Sequence, residues 1–118
     1  MISEPFPHAV ADLLDVLDLQ ELGQARVRYE GMPGDDETDL GEFSPVVFVG
    51  RSQRMPHGRV FGGQVLAQAL VAASRTVGAI DGVVRPIHSL HAYFVRGGDD
   101  SHPIKFLVEK VRDGRSFS

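Results

Sequence analysis

The sequence predicts an α+β fold in which a curved antiparallel sheet wraps one central, apolar helix. A glycine pair opens residues 62–77, a stretch of small and aliphatic residues that is too apolar for a helix on the surface. Strand-like runs lie on both sides of it, at residues 46–49, 85–96 and 103–111. Turn residues separate the later runs, which favours antiparallel neighbours.

The composition is typical of one small globular domain. The chain has 118 residues, 42% of them hydrophobic and 24% charged, and it contains no cysteine. The lack of cysteine excludes a disulfide framework and a thiolate nucleophile. No apolar run approaches the roughly 20 residues that span a membrane, and the first residues lack the pattern of a secretory signal. We therefore expect a cytoplasmic protein without a membrane span.

Charge is unevenly distributed along the chain. Residues 1–50 carry eleven acidic and two basic residues, whereas residues 51–118 carry ten basic and five acidic ones, for a net charge of −4. The basic part contains the glycine-opened helix, and positive potential attracts small polyanionic ligands. Charge alone nevertheless favours ordinary solvated faces. Nucleic-acid binding is not expected, because no cluster of Lys and Arg is interleaved with aromatic residues.

The first part of the chain is predicted to hold one helix and two strands. Residues 8–19 form an amphipathic helix, and Pro7 suits its first position. Residues 24–29 alternate weakly and are compatible with a strand, residues 31–42 form a polar loop, and residues 46–49 are a β-branched strand. The apolar stripe of the helix is made by Val10, Leu13, Leu14 and Leu17, and its acidic face by Asp12, Asp15 and Asp18.

The central helix is expected over residues 62–77, because Gly78 is a natural carboxyl-terminal stop. Its many alanines would let the helix approach a sheet closely. Helical periodicity divides it into a broad apolar face and a narrower polar stripe. The apolar face is made by Leu66, Ala69, Leu70, Ala73 and Val77, and the polar stripe by Gln64, Gln68 and Arg75.

Two strands are predicted after the central helix, over residues 85–96 and 103–111, joined by the turn-rich residues 97–102. The Asp-Gly pair within residues 112–115 is a hairpin signal, and a return strand begins at residues 116–118. A return strand of about five or six residues is usual. We therefore expect a sheet that is incomplete at the carboxyl terminus and that self-associates through its open edge.

A leading helix, a glycine-opened central helix and long antiparallel strands follow one another in the order of a hotdog fold. Residues 61–70 (FGGQVLAQAL), 88–99 (HSLHAYFVRGGD) and 108–117 (VEKVRDGRSF) resemble three signature stretches of the acyl-CoA thioesterase II (TesB-type) family. Residues 48–52 are similar to the first sheet strand of that family. Three separate motifs in the right order make this resemblance specific.

The resemblance covers about residues 46–118, together with the leading helix. It implies that the chain is a single, partial amino-terminal hotdog domain. The implied parts of residues 1–118 are a leading helix (8–19), an insertion or loop (20–45), the central helix (62–77) and strands (85–118).

The resemblance also implies a function in thioester hydrolysis. Family members are tandem double-hotdog proteins that hydrolyse acyl-CoA to a free fatty acid and CoA, with a catalytic Asp, Ser or Thr, and Gln in the second hotdog. No position of this sequence corresponds to those residues, so no catalytic residue is assigned. The alternative is a non-catalytic hotdog that binds acyl-CoA or serves as a scaffold. No metal or redox cofactor is implied, the CoA thioester enters as substrate, and homo-oligomers would form through the hotdog sheets.

The start of the central helix is the first candidate for a substrate contact. Backbone N–H groups at Gly62, Gly63 and Gln64 could stabilise the negative charge that develops on a thioester carbonyl oxygen. Alternatively, the two glycines only permit close packing of the helix on the sheet. The sequence leaves both interpretations open.

Charged and titratable residues provide three further candidates. His88 is either a general base or a hydrogen-bonded structural residue, and we expect one of His88 and His91 to be a hydrogen-bonded interior or interface residue and the other to be exposed. Arg59 and Arg96 border the helix and the long strand and are candidate contacts to the CoA phosphates. No cluster with the spacing of metal ligands is present, and no serine lies in a Gly-x-Ser-x-Gly motif, which excludes a serine-hydrolase site.

Overall fold

The computed structural model describes residues 8–25, 27–28, 42–43, 45–80, 83–112 and 114, and these residues form a mixed α+β structure, as predicted. The predicted leading helix and central helix are both present. In chain order the elements are α1 (Ala9–Leu17), β1 (Gln20–Gln24), β2 (Val27–Arg28), β3 (Glu42–Phe43), β4 (Val46–Gly50), α2 (Gly62–Val77), β5 (Ala79–Ile80), β6 (Val83–Val84) and β7 (Ile104–Val108).

Strands β1, β4 and β7 form a three-stranded antiparallel sheet with β4 at its centre. The sequence of β4, VVFVG, suits this position, because β-branched and aromatic residues pack well on a pleated surface. In the register, Phe48 of β4 is level with Glu21 of β1 and with Phe106 of β7. The β1 register shifts between Glu21 and Gly23, and the φ of 91° at Gly23 explains the glycine there.

The hydrophobic core lies between α2 and the sheet. Ala72 of α2 is completely buried and packs with Phe48 and with Leu19, which lies between α1 and β1. A methyl side chain at this position lets the helix axis approach β4 closely, which gives the dense packing that protein interiors require. The surrounding apolar residues are Val46, Val71, Phe106 and Val108.

The bounds of α2 confirm the predicted helix at both ends. Gly62 is its first residue and Val77 its last, and Gly78 follows with a φ of 50°. The N–H of Gly78 donates to the carbonyl of Ser74 over 3.0 Å, which satisfies one of the last carbonyls of the helix. A glycine was the correct signal here because this backbone conformation is rarely adopted by residues with a side chain.

The buried side of each helix differs from the apolar side that periodicity indicates. On α2 the buried residues are Gln64, Gln68 and Ala72, whereas the predicted apolar positions are only half-buried. The predicted division of α2 into an apolar and a polar face is therefore wrong about which residues are buried. Arg75 of the polar stripe is exposed and does lie outside the core. On α1 only Val16 is buried, and the expected stripe of Val10, Leu13 and Leu14 is more than half exposed.

Residues 85–96, predicted as a strand, belong to no strand in the structure, so this prediction is wrong. Apolar and β-branched residues favour an extended chain, but a strand also needs a neighbouring strand to satisfy its N–H and C=O groups. No strand within the described ranges pairs with this segment. Its apolar side chains Ile87, Leu90, Tyr93, Phe94 and Val95 are each more than half exposed.

The other strand predictions hold in part. The strand expected over residues 103–111 is present but shorter, as β7. The weak strand signal at residues 24–29 corresponds to the end of β1 and to β2, so the region expected as an insertion or loop begins with a sheet strand. The predicted hairpin and return strand fall on Asp113 and residues 115–118, which lie outside the described residues.

The short antiparallel pair of β5 and β6 was not predicted from the sequence. The signal was present, because Asp81-Gly82 separates Ile80 from Val83 and this dipeptide is typical of two-residue hairpins. The pair directly follows Gly78, so the chain leaves α2 into a short hairpin before it enters the segment at residues 85–96.

Candidate functional site

The start of α2 presents backbone N–H groups that the helix itself cannot satisfy. Phe61 precedes the helix in an extended conformation, with φ −67° and ψ 126°, and no hydrogen bond from a described side chain caps this end. The carbonyl of Phe61 accepts from the N–H groups of Gln64 (3.0 Å) and Val65 (3.4 Å). The N–H groups of Gly62 and Gly63 come before this first helical bond, at the end where the helix dipole is positive.

Two aromatic rings flank the glycines at this helix start. A methyl group on Gly63 would lie 2.6 Å from the ring of Phe61, and one on Gly62 would lie 3.3 Å from the ring of Phe94. Both rings are at least 60% exposed. The glycines therefore make room for the two rings. Because they carry no side chain, they also leave their own backbone uncovered. The nearest neighbours of the glycines are these rings rather than the sheet, and contact of their backbone with a ligand stays a prediction.

A hydrogen-bonded pair of glutamines lies just inside the helix start. Gln68 Nε2 donates to the carbonyls of Val16 (3.0 Å) and Arg51 (2.7 Å). Gln64 Nε2 donates to Gln68 Oε1 (3.1 Å) and to the Arg51 carbonyl (3.3 Å), and Gln64 Oε1 accepts from the backbone N–H of Gln53 (2.9 Å). The side chain of Gln64 is thus engaged inside the protein, and its backbone N–H is engaged too, by the carbonyl of Phe61.

The sequence contained a signal for this buried pair that periodicity did not use. Helix α2 carries no charged residue before Arg75, and the helix was expected to be wrapped on all sides. Polar residues in such a helix must also be buried, and buried amides need hydrogen-bond partners. Residues 51–53 follow β4 without regular secondary structure, so no neighbouring strand among the described residues uses their carbonyl and N–H groups. The pattern of hydropathy along the sequence cannot show that these groups are available.

A buried carboxylate anchors the loop that leads into α2. Asp100 is only 6% exposed, and its Oδ2 accepts from the N–H of Met55 over 2.6 Å. The guanidinium of Arg54 lies 3.6 Å from its other oxygen. The Asp100 N–H donates to the carbonyl of Gly58 (3.2 Å), which brings residues 55–58 against residues 98–100. This anchor was not predicted from the sequence, because a single Asp in a turn-rich stretch is typical of a turn residue.

Arg59 lies at an open depression of about 350 Å³ beside the helix start. It forms an antiparallel bridge with Asp99, and the N–H of Val60 donates to the carbonyl of Gly98 over 3.0 Å. The structure thus places Arg59 next to the segment that contains Arg96, and contact of either side chain with a phosphate stays a prediction. The lining residues are Gly58, Arg59, Gly97, Gly98 and Asp99.

The remaining candidates lie on the irregular segment that precedes this depression. His88, His91 and Arg96 are all exposed, so neither histidine is interior within this chain, and an interface position for one of them stays a prediction. The segment reaches the helix start through the ring of Phe94, which lies against Gly62. Arg59 and residues 94–98 are therefore close to the helix start, whereas His88 is six residues from the contact at Phe94.

Asp99, Ser101 and His102 form a cluster with the residue types of a hydrolase triad but without its geometry. Ser101 Oγ donates to Asp99 Oδ1 over 2.6 Å, and His102 Nδ1 lies 3.0 Å from both Ser101 Oγ and Asp99 Oδ2. A triad requires the serine and the carboxylate on opposite ring nitrogens. The hydrogen bonds from the Ser101 side chain and backbone, aided by His102, lower the pKa of Asp99, so this carboxylate is a turn-stabilising acceptor.

The part of the chain that the structure describes contains neither a metal-ligand cluster nor a membrane-spanning helix. No three His, Cys, Asp or Glu side chains come together as ligands for a metal ion. Neither of the two described helices is long and apolar enough to cross a membrane.

Comparison with known proteins gives one family and several relatives. A profile of the family described as "Acyl-CoA thioesterase N-terminal domain" matches residues 51–118, which is more than half of the chain and includes the helix start. "Acyl-coenzyme A thioesterase 8" of Homo sapiens is 49% identical over 72 residues, which cover 61% of this chain and 21% of the relative. No solved structure gives a significant match.

Two further relatives extend the comparison to bacteria and yeast. "Acyl-CoA thioesterase 2" of Haemophilus influenzae is 47% identical over 79 residues, which cover 67% of this chain and 26% of the relative. "Peroxisomal acyl-coenzyme A thioester hydrolase 1" of Saccharomyces cerevisiae is 34% identical over 88 residues, or 67% of this chain and 22% of the relative. The matched region thus spans only about a fifth to a quarter of the length of these relatives.

Proposed function

The chain belongs to the acyl-CoA thioesterase N-terminal domain family, and from this membership we propose that it takes part in the hydrolysis of acyl-CoA to a free acid and CoA. The observation that carries the proposal is the family match over residues 51–118, which contains the glycine-opened helix start. In this reaction water adds to the thioester carbonyl carbon, the C–S bond breaks, and the departing sulfur takes a proton to give the CoA thiol.

The proposed contribution of this chain is to bind the thioester oxygen. Negative charge develops on that oxygen as water adds, and preorganised N–H donors stabilise it. The N–H groups of Gly62 and Gly63, which no described side chain caps, are suited to this role, and the flanking rings of Phe61 and Phe94 would exclude water from an acyl chain. Gln64 would contribute through its position directly after Gly63, because its side chain and its N–H are both hydrogen-bonded within the protein.

The substrate also carries phosphates, for which we propose Arg59 and Arg96. The bridge between Arg59 and Asp99 supports a location beside the helix start, although the Asp99 carboxylate would partly offset the positive charge. His88, which lies on the exposed segment at residues 85–96, is also proposed as a substrate contact. No separate cofactor is proposed, because CoA enters with the substrate. A cytoplasmic location also remains a proposal, and the yeast relative is named for the peroxisome.

We propose a hotdog fold for the domain, residues 1–118 being a single amino-terminal unit that forms homo-oligomers through its sheet. The antiparallel sheet against α2 and the family match support the hotdog fold. The exposed apolar residues of the segment at 85–96 support association, since monomers rarely expose large apolar patches.

Self-association is expected to give a mass above 12.9 kDa in multi-angle light scattering, at micromolar concentrations. Tyr93→Glu and Val95→Glu place charges on two side chains that are more than 80% exposed, and they are expected to shift the equilibrium towards the monomer. Ala11→Glu, at an exposed position of α1, is the matched control. A monodisperse monomer at all concentrations would count against the oligomer.

A chimera with the bacterial relative tests the proposed function. In this protein the aligned residues of the present chain replace the corresponding 79 residues of the Haemophilus influenzae acyl-CoA thioesterase 2. We expect the chimera to release CoA from octanoyl-CoA, measured with a thiol reagent, at a rate within about tenfold of the relative, since most substitutions away from the chemistry have small effects. A folded chimera that releases no CoA would contradict the proposal.

The second candidate is a non-catalytic module that binds acyl-CoA or serves as a scaffold. One observation favours it: the only Ser, His and Asp cluster among the described residues has the wrong geometry for catalysis. Saturable binding of octanoyl-CoA to the 118-residue chain, together with a folded but inactive chimera, would select a binding module. The absence of both binding and activity would leave the scaffold role.

A further inference from the structure

Two buried side-chain amides on α2 have no part in the proposed reaction. Gln68 is completely buried and Gln64 is 7% exposed, and they lie one helical turn apart on the face towards the core. Burying a primary amide is costly unless its donors and acceptor are satisfied. Two such amides in the first half of a short helix therefore indicate a specific requirement at this place.

The hydrogen bonds of the pair are complete and fix its orientation. Each Nε2 donates twice and each Oε1 accepts once, so every N–H of both amides is used. Exchanging the oxygen and nitrogen of Gln64 would place two donors face to face at the N–H of Gln53. The chain from Gln53 through Gln64 and Gln68 to Val16 therefore has one favourable arrangement.

The pair connects the helix start to other segments rather than capping its own helix. Gln64 is the third residue of α2, where a glutamine commonly folds back to the N–H that precedes the helix. Here it reaches residues 51–53 instead, and the helix start has no hydrogen bond from a described side-chain cap. Gln68 continues the connection to the end of α1 at Val16.

We propose that Gln64 and Gln68 are positioning residues that fix the start of α2 against residues 51–53 and α1. Gln64 directly follows Gly63, so its amide holds the backbone that presents the N–H groups of Gly62 and Gly63. This inference rests on the proposed function. In that function a developing negative charge is stabilised only by N–H donors that are already in place, so the position of the helix start matters.

The simpler alternative is that the pair only adds to overall stability. In that case its removal would accelerate hydrogen exchange throughout the cooperative core, at both ends of α2 alike. A positioning role instead predicts local opening at the helix start. The N–H of Gly78, bonded to Ser74 at the far end of the same helix, is the internal reference.

Amide hydrogen exchange by NMR on the 118-residue chain separates the two roles without any substrate. In Gln64→Met and Gln68→Met we expect the amides of residues 53, 64 and 65 to exchange about tenfold faster relative to that of Gly78, from the loss of buried hydrogen bonds. Gln20→Met, at an exposed strand position, is the matched control and should leave this ratio unchanged within about twofold.

A conservative variant keeps the test decisive if the methionine variants unfold. Gln64→Glu retains an oxygen acceptor for the N–H of Gln53 but lacks both N–H donors. In this variant the amide hydrogen of residue 53 should still exchange slowly, whereas that of residue 65 should exchange fast. Equal acceleration at residues 53, 65 and 78, or no acceleration, would overturn the positioning role. Failure of acyl-CoA binding alone would contradict the proposed function and leave this result intact.

Discussion

Replacing Phe48 by alanine is expected to lower the free energy of unfolding by about 3–5 kcal/mol, the cost typical of truncating a buried aromatic residue. Phe48 is 1% exposed and lies on the central strand, where it contacts Leu19 and Ala72 in the core. The guanidinium of Arg75 also lies over its ring, 5.0 Å from the centroid. The truncation would leave a cavity between α2 and the sheet, because the residues around Phe48 relax only partially to fill the space.

Urea denaturation followed by circular dichroism measures this effect. Val111→Ala is the control, because its side chain is 92% exposed and its truncation should change the free energy of unfolding by less than about 0.5 kcal/mol. Equal losses from the two variants would mean that α2 does not form the core with β4. That result would contradict the packing from which the helix start takes its position.

Replacing Gly50 by alanine is expected to cost about 1–3 kcal/mol through overpacking. The added methyl group would lie 2.5 Å from Gln68 Nε2 and 2.6 Å from Leu19 Cδ2. Neither neighbour can yield easily, because Leu19 is buried and Gln68 is held by its hydrogen bonds. Glycine is required here for space, since its φ lies outside the left-handed region.

A second substitution identifies the cause of this loss. Gly97→Ala is the control, because its methyl group would meet its nearest neighbour at 3.9 Å and should be nearly neutral. In a Gln68→Ala background the added cost of Gly50→Ala should fall by at least about 1 kcal/mol, since contacting residues are not additive. Strict additivity in denaturation experiments would show that Gly50 and Gln68 do not meet.

Sequence reasoning predicted best where local chemistry decides the structure. The bounds of α2 follow from Gly62 and from Gly78, whose positive φ favours glycine. β4 follows from its β-branched run, and the helix start was recognised from its glycines. At such positions the backbone conformation depends on a few neighbouring residues, so the sequence is informative without knowledge of the fold.

Prediction from the sequence failed where contacts between distant segments of the chain determine the structure. Residues 85–96 have the composition of a strand, but pairing depends on a neighbour that composition cannot supply. Gln64 and Gln68 were assigned to a polar stripe, whereas carbonyl groups of Val16 and Arg51 make their burial favourable. The positioning pair of the site was therefore not predictable from periodicity, since its partners are up to 52 residues away along the chain.

The rate of CoA release by the chimera carrying Gly62→Pro tests most directly whether the N–H groups of the helix start act in thioester hydrolysis. Proline suits the first helical position, and the extended Phe61 before it tolerates proline, so this change removes one N–H with little disturbance of the backbone. Gly62→Ala is the control, because it keeps the N–H and adds one methyl group. We predict a loss in kcat of about a hundredfold or more for Gly62→Pro, and near-normal kcat for Gly62→Ala. Equal rates for the two folded variants would contradict a role for this N–H group.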